Sequence, residues 1–223
     1  MPFTFSRKEL ETELKNILAT GVSGNPKDYL SWVCMEVKKK FKEDADVSLE
    51  DVSSILEELK SQNQIGPNKF DPREFQVHAT TSFKKKLQAS DMFQCLGRMD
   101  FNPIQYVRSR LEYYLLENKV SEDEALDLCI AIVEAVENSV KYGDGNIIEV
   151  EYSFDKNRLF KVQVTNTVKE FNLEDDIERG KFSSTATLMR GMMVMQKLFD
   201  SIDLEIIDDK KIAKFLAQKQ FGK

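Results

Sequence analysis

The sequence predicts an α+β protein. A two-layer α/β sandwich, with helices on one face of a mostly antiparallel sheet, follows a small all-helical N-terminal domain. Three observations carry this expectation. Over residues 1–70 the apolar positions recur at helical spacing, broken by turn residues. From about Phe75 onward, β-prone stretches enter, and the order becomes strand, helix, helix, two strands, helix, two strands. Between these textures lies Gln62–Pro72, a polar stretch with one Gly and two prolines, expected as a linker or surface connection between domains 1–70 and 73–223.

In the first part, Leu10, Leu14, Ile17 and Leu18 line one side of a helix from Arg7 to Thr20. Gly21 to Pro26 is turn chemistry. Tyr29, Leu30, Val33, Cys34 and Val37 then mark a second helix over residues 27–42, and Trp32 is expected in its core. Ser48 and Asp51 form a capping-box pattern opening a third helix through Val52, Ile55, Leu56 and Leu59. A helix trio of this kind suits a winged-helix-like DNA reader. Its third helix, however, carries Glu50, Asp51, Glu57 and Glu58, which repel phosphate, so a protein-binding or dimerising module is expected instead.

In the second part, residues 74–83 and 92–101 are β-prone, and Asn102-Pro103 starts a helix with Ile104, Val107, Leu111 and Leu115 on its stripe. Ser121 and Glu124 repeat the capping pattern before a helix over residues 122–141. Gly143 to Asn146 is expected as a turn. Residues 147–154 and 159–165 follow as a hairpin around Asp155-Lys156-Asn157. A polar loop is expected over 166–186, a Met-rich helix over 188–199, and a last hairpin over 202–216. The Met stretch reads as core filler or, where exposed, as an adaptable partner face.

Charge and composition exclude several classes. The net charge of −6, with only the short runs Lys38–Lys40 and Lys84–Lys86, argues against nucleic-acid binding. Cys34, Cys95 and Cys129 are odd in number, far apart and set among apolar residues, as reduced core thiols are. One histidine, His78, gives a His-based metal site or dyad little to work with. The N-terminus lacks a signal peptide's apolar core and no run is apolar enough to span a bilayer, so a cytoplasmic location is expected.

The most informative stretch is Glu134-Ala-Val-Glu-Asn138, closed by Gly143. At i and i+4 the carboxylate and the carboxamide project from one helical face. The Asn oxygen suits a hard cation such as Mg²⁺. The Glu suits polarising a hydroxyl beside it. A solvated polar stripe is the alternative reading of the pair alone.

With this element order, the segment resembles the histidine-kinase-like (GHKL, Bergerat-type) ATPases, over roughly residues 93–219. The subtype it looks most like is the anti-sigma factor/serine-protein kinase family. That resemblance implies Glu134 as general base for phosphorylating a serine and Asn138 as the ligand of a Mg²⁺ bridging ATP phosphates. Asn166 falls where the family has the Asp that receives the adenine amino group, and its oxygen is still an acceptor. The glycines that follow in the family are replaced by Val168, Lys169 and Glu170. Ser183 and Ser184 resemble the hydroxyl-rich lid. In the closing glycine motif only Gly191 remains, with Arg190 beside it as a further phosphate contact. Lys210-Lys211 stand where the family has a late Gly-Thr.

The implied cofactors are ATP and Mg²⁺, and the implied protein partner is a sigma factor or an anti-sigma-factor antagonist. A homodimer through the N-terminal helices is a further expectation. Losing several backbone-approach glycines is expected to weaken nucleotide binding and to disable catalysis first, since catalysis demands closer geometry. Three readings follow: a signalling regulator with weak nucleotide binding, an active Mg-ATP-dependent serine kinase, and a pseudo-ATPase scaffold.

Overall fold

The computed structural model describes residues 2–85, 88–169 and 193–222. The chain forms two compact units, residues 1–87 with 99–120, and residues 88–98 with 121–223.

The first unit is built on four helices, α1 (Arg7–Leu18), α2 (Pro26–Phe41), α3 (Leu49–Ser61) and α4 (Pro103–Glu117). Each of the first three opens with a complete capping box, at Ser6/Glu9, Asn25/Asp28 and Ser48/Asp51. Their apolar stripes meet in a core where Leu14, Leu18, Val33, Val52 and Leu56 are fully buried. Trp32 is buried as expected and faces Tyr29 and Tyr106 edge-on at 5.0 and 5.3 Å. Its Nε1 donates to the Asn102 carbonyl at 3.3 Å, which ties the start of α4 to α2.

This unit is not purely helical. Strand β1 (Phe3–Thr4) pairs in parallel with β2 (Ala45–Asp46), and β3 (Ile65–Pro67) pairs antiparallel with β4 (Phe75–Val77). Strands of two or three residues are too short to show alternation in a sequence. Residues 62–72 therefore hold β3 and the start of its loop to β4, and the compact unit runs on through Leu87. The lysine run of α2 is neutralised. Lys38 pairs with Asp44, Lys39 with Glu36 and Lys40 with Glu13.

The second unit holds β5 (Ser90–Leu96), α5 (Glu122–Tyr142), β6 (Gly143–Phe154), β7 (Leu159–Val168), β8 (Ser201–Ile207) and β9 (Ile212–Gln220). Residues 193–198 are also helical. The strands form one antiparallel sheet in the order β5-β6-β7-β9-β8. This is the α+β architecture the sequence predicts. Helix α5 packs on β6 and β7.

One cross-strand row runs Phe93, Val150, Val164, Phe215, and all four are buried. The neighbouring row on the same face runs Cys95, Ile148, Asn166, Ala213. The other face is polar, with Gln94 donating to Glu149 at 3.0 Å and Lys214 beside Glu205 at 3.5 Å. Cys95 and Cys129 are buried thiols and Cys34 a half-buried one, none of them in a disulfide. Of the Met-rich stretch, Met195 is buried and Met193 exposed, while Met189 and Met192 lie outside the described residues.

Candidate functional site

Helix α5 carries the Glu134/Asn138 pair. Ser121 caps it, accepting from the Glu124 N–H, and three acids occupy the first turn, where the helix dipole favours negative charge. Its buried face is Leu128, Ile132, Ala135, Val136 and Ser139. Glu134 and Asn138 sit beside that face, one turn apart and half-buried. Among the described residues neither side chain makes a hydrogen bond or an ion pair. The Ser139 hydroxyl, by contrast, is spent on the Ala135 carbonyl at 3.0 Å.

The end of α5 is pressed against β7. The Gly143 N–H closes the helix on the Ser139 carbonyl. A Cβ at Gly143 would lie 2.2 Å from the Ser139 oxygen and 3.1 Å from both Asn166 Nδ2 and the Thr167 oxygen. Glycine is therefore required by space rather than by a left-handed backbone, for its φ is −75°. This contact brings the foot of the Glu134/Asn138 helix to Asn166.

Asn166 was expected to open a polar loop. It lies instead inside β7, paired with Ile148 and Ala213 and buried on the face toward α5. Its Nδ2 donates to the Thr167 carbonyl at 2.9 Å, which satisfies one of the two donors of the amide and leaves Oδ1 for an acceptor's role.

The strand continues past Asn166 to Val168. The Val168 N–H donates to the Lys211 carbonyl at 2.8 Å, and the Lys169 N–H to the Tyr142 carbonyl at 3.2 Å. Gly143 pairs with Val168 across β6 and β7, with a register shift before Ile148. Residues 143–146 are thus an irregular start of β6 rather than a free turn. The reason is that Val168 is β-branched and extends β7, and the helix end then has a strand to pair with.

Asp144 and Thr167 join the site without having been singled out in the sequence. Burial pushes the Asp144 carboxyl up. Hydrogen bonds from the Asn146 N–H and from the Asn146 side chain, at 2.9 and 2.6 Å, outweigh this and hold it below the usual range. Gly145, at φ +82°, makes the turn that allows this. The sequence signal was the Asp-Gly-Asn triplet, legible only as turn chemistry. Tyr142 is half-buried, with Lys141 Nζ 5.1 Å above its ring.

The structure thus brings together Asn138, Glu134, Gly143 and Asn166 in one unit. Ser183, Ser184, Arg190 and Gly191 lie outside the described residues. Lys211 sits in the turn before β9 at φ +51°, and there its carbonyl serves Val168. Among the described residues no group of three or more His, Cys, Asp or Glu side chains is placed to hold a metal ion. No helix among them is long and apolar enough to cross a membrane.

No curated protein matches this chain. A family model, the histidine kinase-like ATPase domain, matches residues 102–212, which run from the cap of α4 to the first residue of β9. The match and the α+β fold agree, and residues 102–212 of this chain belong to the histidine kinase-like ATPase superfamily.

Proposed function

We propose that this protein is a cytoplasmic signalling regulator whose histidine kinase-like domain binds Mg·ATP weakly and acts through a protein partner. The observation that carries this is the closed end of β7. The N–H groups of Val168 and Lys169 are committed to the carbonyls of Lys211 and Tyr142. Those are the positions at which a glycine loop would offer its backbone to nucleotide. Each lost close approach weakens binding by roughly 1–3 kcal/mol, so affinity near millimolar is expected.

The residues that remain fit the ligand's chemistry. Asn138 is half-buried with no hydrogen bond to a described residue, and its Oδ1 would take one coordination position of a Mg²⁺. Phosphate and water would fill the rest, which needs no cluster of protein carboxylates. Asn166 Oδ1 would accept from the adenine amino group. Glu134, one turn from Asn138, would orient or deprotonate a serine hydroxyl of a bound partner. A sigma factor or an anti-sigma-factor antagonist is the proposed partner class, on resemblance to the anti-sigma/serine-kinase subgroup. By the same resemblance, Ser183, Ser184 and Arg190 would supply further phosphate contacts.

Isothermal titration with Mg·ATP tests this. Saturable binding with a Kd of the order of 0.1–1 mM is expected, lost in Asn138→Ala. No heat at several-fold higher ATP would leave only a pseudo-ATPase scaffold. Phosphate transfer to an antagonist protein, abolished in Glu134→Ala with ATP binding unchanged, would instead establish the serine-kinase reading, which the unengaged Glu134 carboxylate favours.

A further inference from the structure

Helix α5 has a second surface beside the pair. Leu126 and Ile130 are one turn apart and remain 50% and 46% exposed. They continue the line of Glu134 and Asn138 toward the helix N-terminus, at four-residue spacing. Two adjacent exposed aliphatics on the helix that carries the site form a small apolar seam.

The seam is bordered by acids. Glu122, Asp123, Asp127 and Glu137 are all exposed on the same helix, and Glu134 is half-exposed at its upper end. The first-turn acids complement the helix dipole, but Asp127 and Glu137 lie beyond its reach. The single basic residue of α5 is Lys141, in its last turn.

We propose that this face of α5 is the docking surface for an amphipathic helix of a protein partner, with aliphatic residues along one stripe and Lys or Arg beside it. The proposal rests on the reading of this protein as a partner-binding regulator and gives that partner a place and a chemistry. Charge decides between occupants. A second copy of this chain docking through the same face would set acid against acid around the seam, which disfavours self-pairing. A basic helix places opposite charges at the rim while Leu126 and Ile130 fill the centre, the apolar-core and polar-rim anatomy of a protein interface. Docked there, the partner would lie within one or two turns of Glu134 and Asn138, so occupancy of the two surfaces is coupled by proximity.

The test uses the full-length chain without nucleotide and a synthetic amphipathic peptide about 20 residues long, Leu along one face and Lys along the other. Backbone amide shifts are followed by NMR on titration. Changes concentrated over residues 123–138 are expected. Leu126→Asp with Ile130→Asp should weaken binding by about tenfold or more, although it adds two negative charges, because the apolar centre is lost. Both side chains are exposed, so the variant should fold, checked by its circular dichroism.

Equal or tighter binding by the double variant would mean a purely electrostatic attachment and would overturn the proposal. So would shifts elsewhere on the chain, no shifts at about 1 mM peptide, or equal binding of a peptide with Glu in place of Lys. Concentration-dependent self-association of the wild type, removed by the double variant, would assign the face to a second copy. Because nucleotide is absent throughout, these outcomes are independent of the Mg·ATP titration.

Discussion

Gly143 and Asn166 show how single residues set the site. Gly143 is held to glycine by its neighbours, since a Cβ there meets the Ser139 carbonyl at 2.2 Å. Gly143→Ala must push the end of α5 off β7. A loss of roughly 1–3 kcal/mol is expected in chemical denaturation, with weaker Mg·ATP binding. Asn166 presents the opposite case. It is an amide in an otherwise apolar row, between Ile148 and Ala213 on a buried face. A residue chosen for stability there would be β-branched and apolar. Asn166→Val should therefore leave the thermal midpoint unchanged or raise it, and should lower ATP affinity. A clear loss of stability without loss of affinity would assign Asn166 a purely structural role.

The elements behave as their termini and buried charges dictate. Ser121→Ala removes the cap of α5 and should cost about 1 kcal/mol, read from a denaturation midpoint. In the helical unit, Glu74 and Glu112 form a polar cluster with Ser23, Gln105 and Arg108. Ser23 and Gln105 donate to Glu74 at 2.8 and 2.9 Å, and Arg108 lies 3.5 Å from Glu112. Burial pushes both carboxyls up, against the Ser23 hydrogen bond and the Arg108 charge.

A carboxyl whose folded value is raised binds its proton more tightly in the folded state. Stability from this source is present below the unfolded value, near 4.5, and is lost as pH rises through the folded value. The denaturation midpoint of this unit should then be higher at pH 5 than at pH 7.5, and Glu74→Gln with Glu112→Gln should shrink that difference. Asp71, which hydrogen bonds from Arg73 hold at about 2, and Asp144, also lowered, act with the opposite sign. Their contribution is present above 3.8 and lost below it, so it does not mask the first effect.

At the scale of the whole molecule, the chain passes between its two units more than once. Residues 88–98 belong with the sheet and 99–120 with the helical unit. Trp32, the one tryptophan, is fully buried in the helical unit and reports on that unit alone. Unfolding followed by Trp fluorescence and by far-UV circular dichroism should give non-coincident transitions, because two cores of this size need not melt together. Coincident curves would show one cooperative unit.

Much of this was legible in the sequence because it is local. Helical periodicity placed α1 to α5, Ser48 and Ser121 announced their helices, and the spacing of Glu134 and Asn138 put them on one face. Strands β6 to β9 were readable from their β-prone pattern, and in β6, β7 and β9 one sheet face carries buried apolar residues. Of the short strands, β4 falls inside the β-prone stretch 74–83, whereas β1 to β3 were not readable, since two or three residues carry no period. What tertiary structure alone decided was the fate of the polar residues after the site helix. Asn166 became a buried strand residue and Gly143–Asn146 the start of β6, because Val168 extends β7 into pairing with Gly143 and its N–H reaches Lys211, forty-three positions along the chain. Sequence fixes a residue's local preference, whereas its register and burial depend on partners distant in the chain, and at the foot of α5 those partners set what the site can bind.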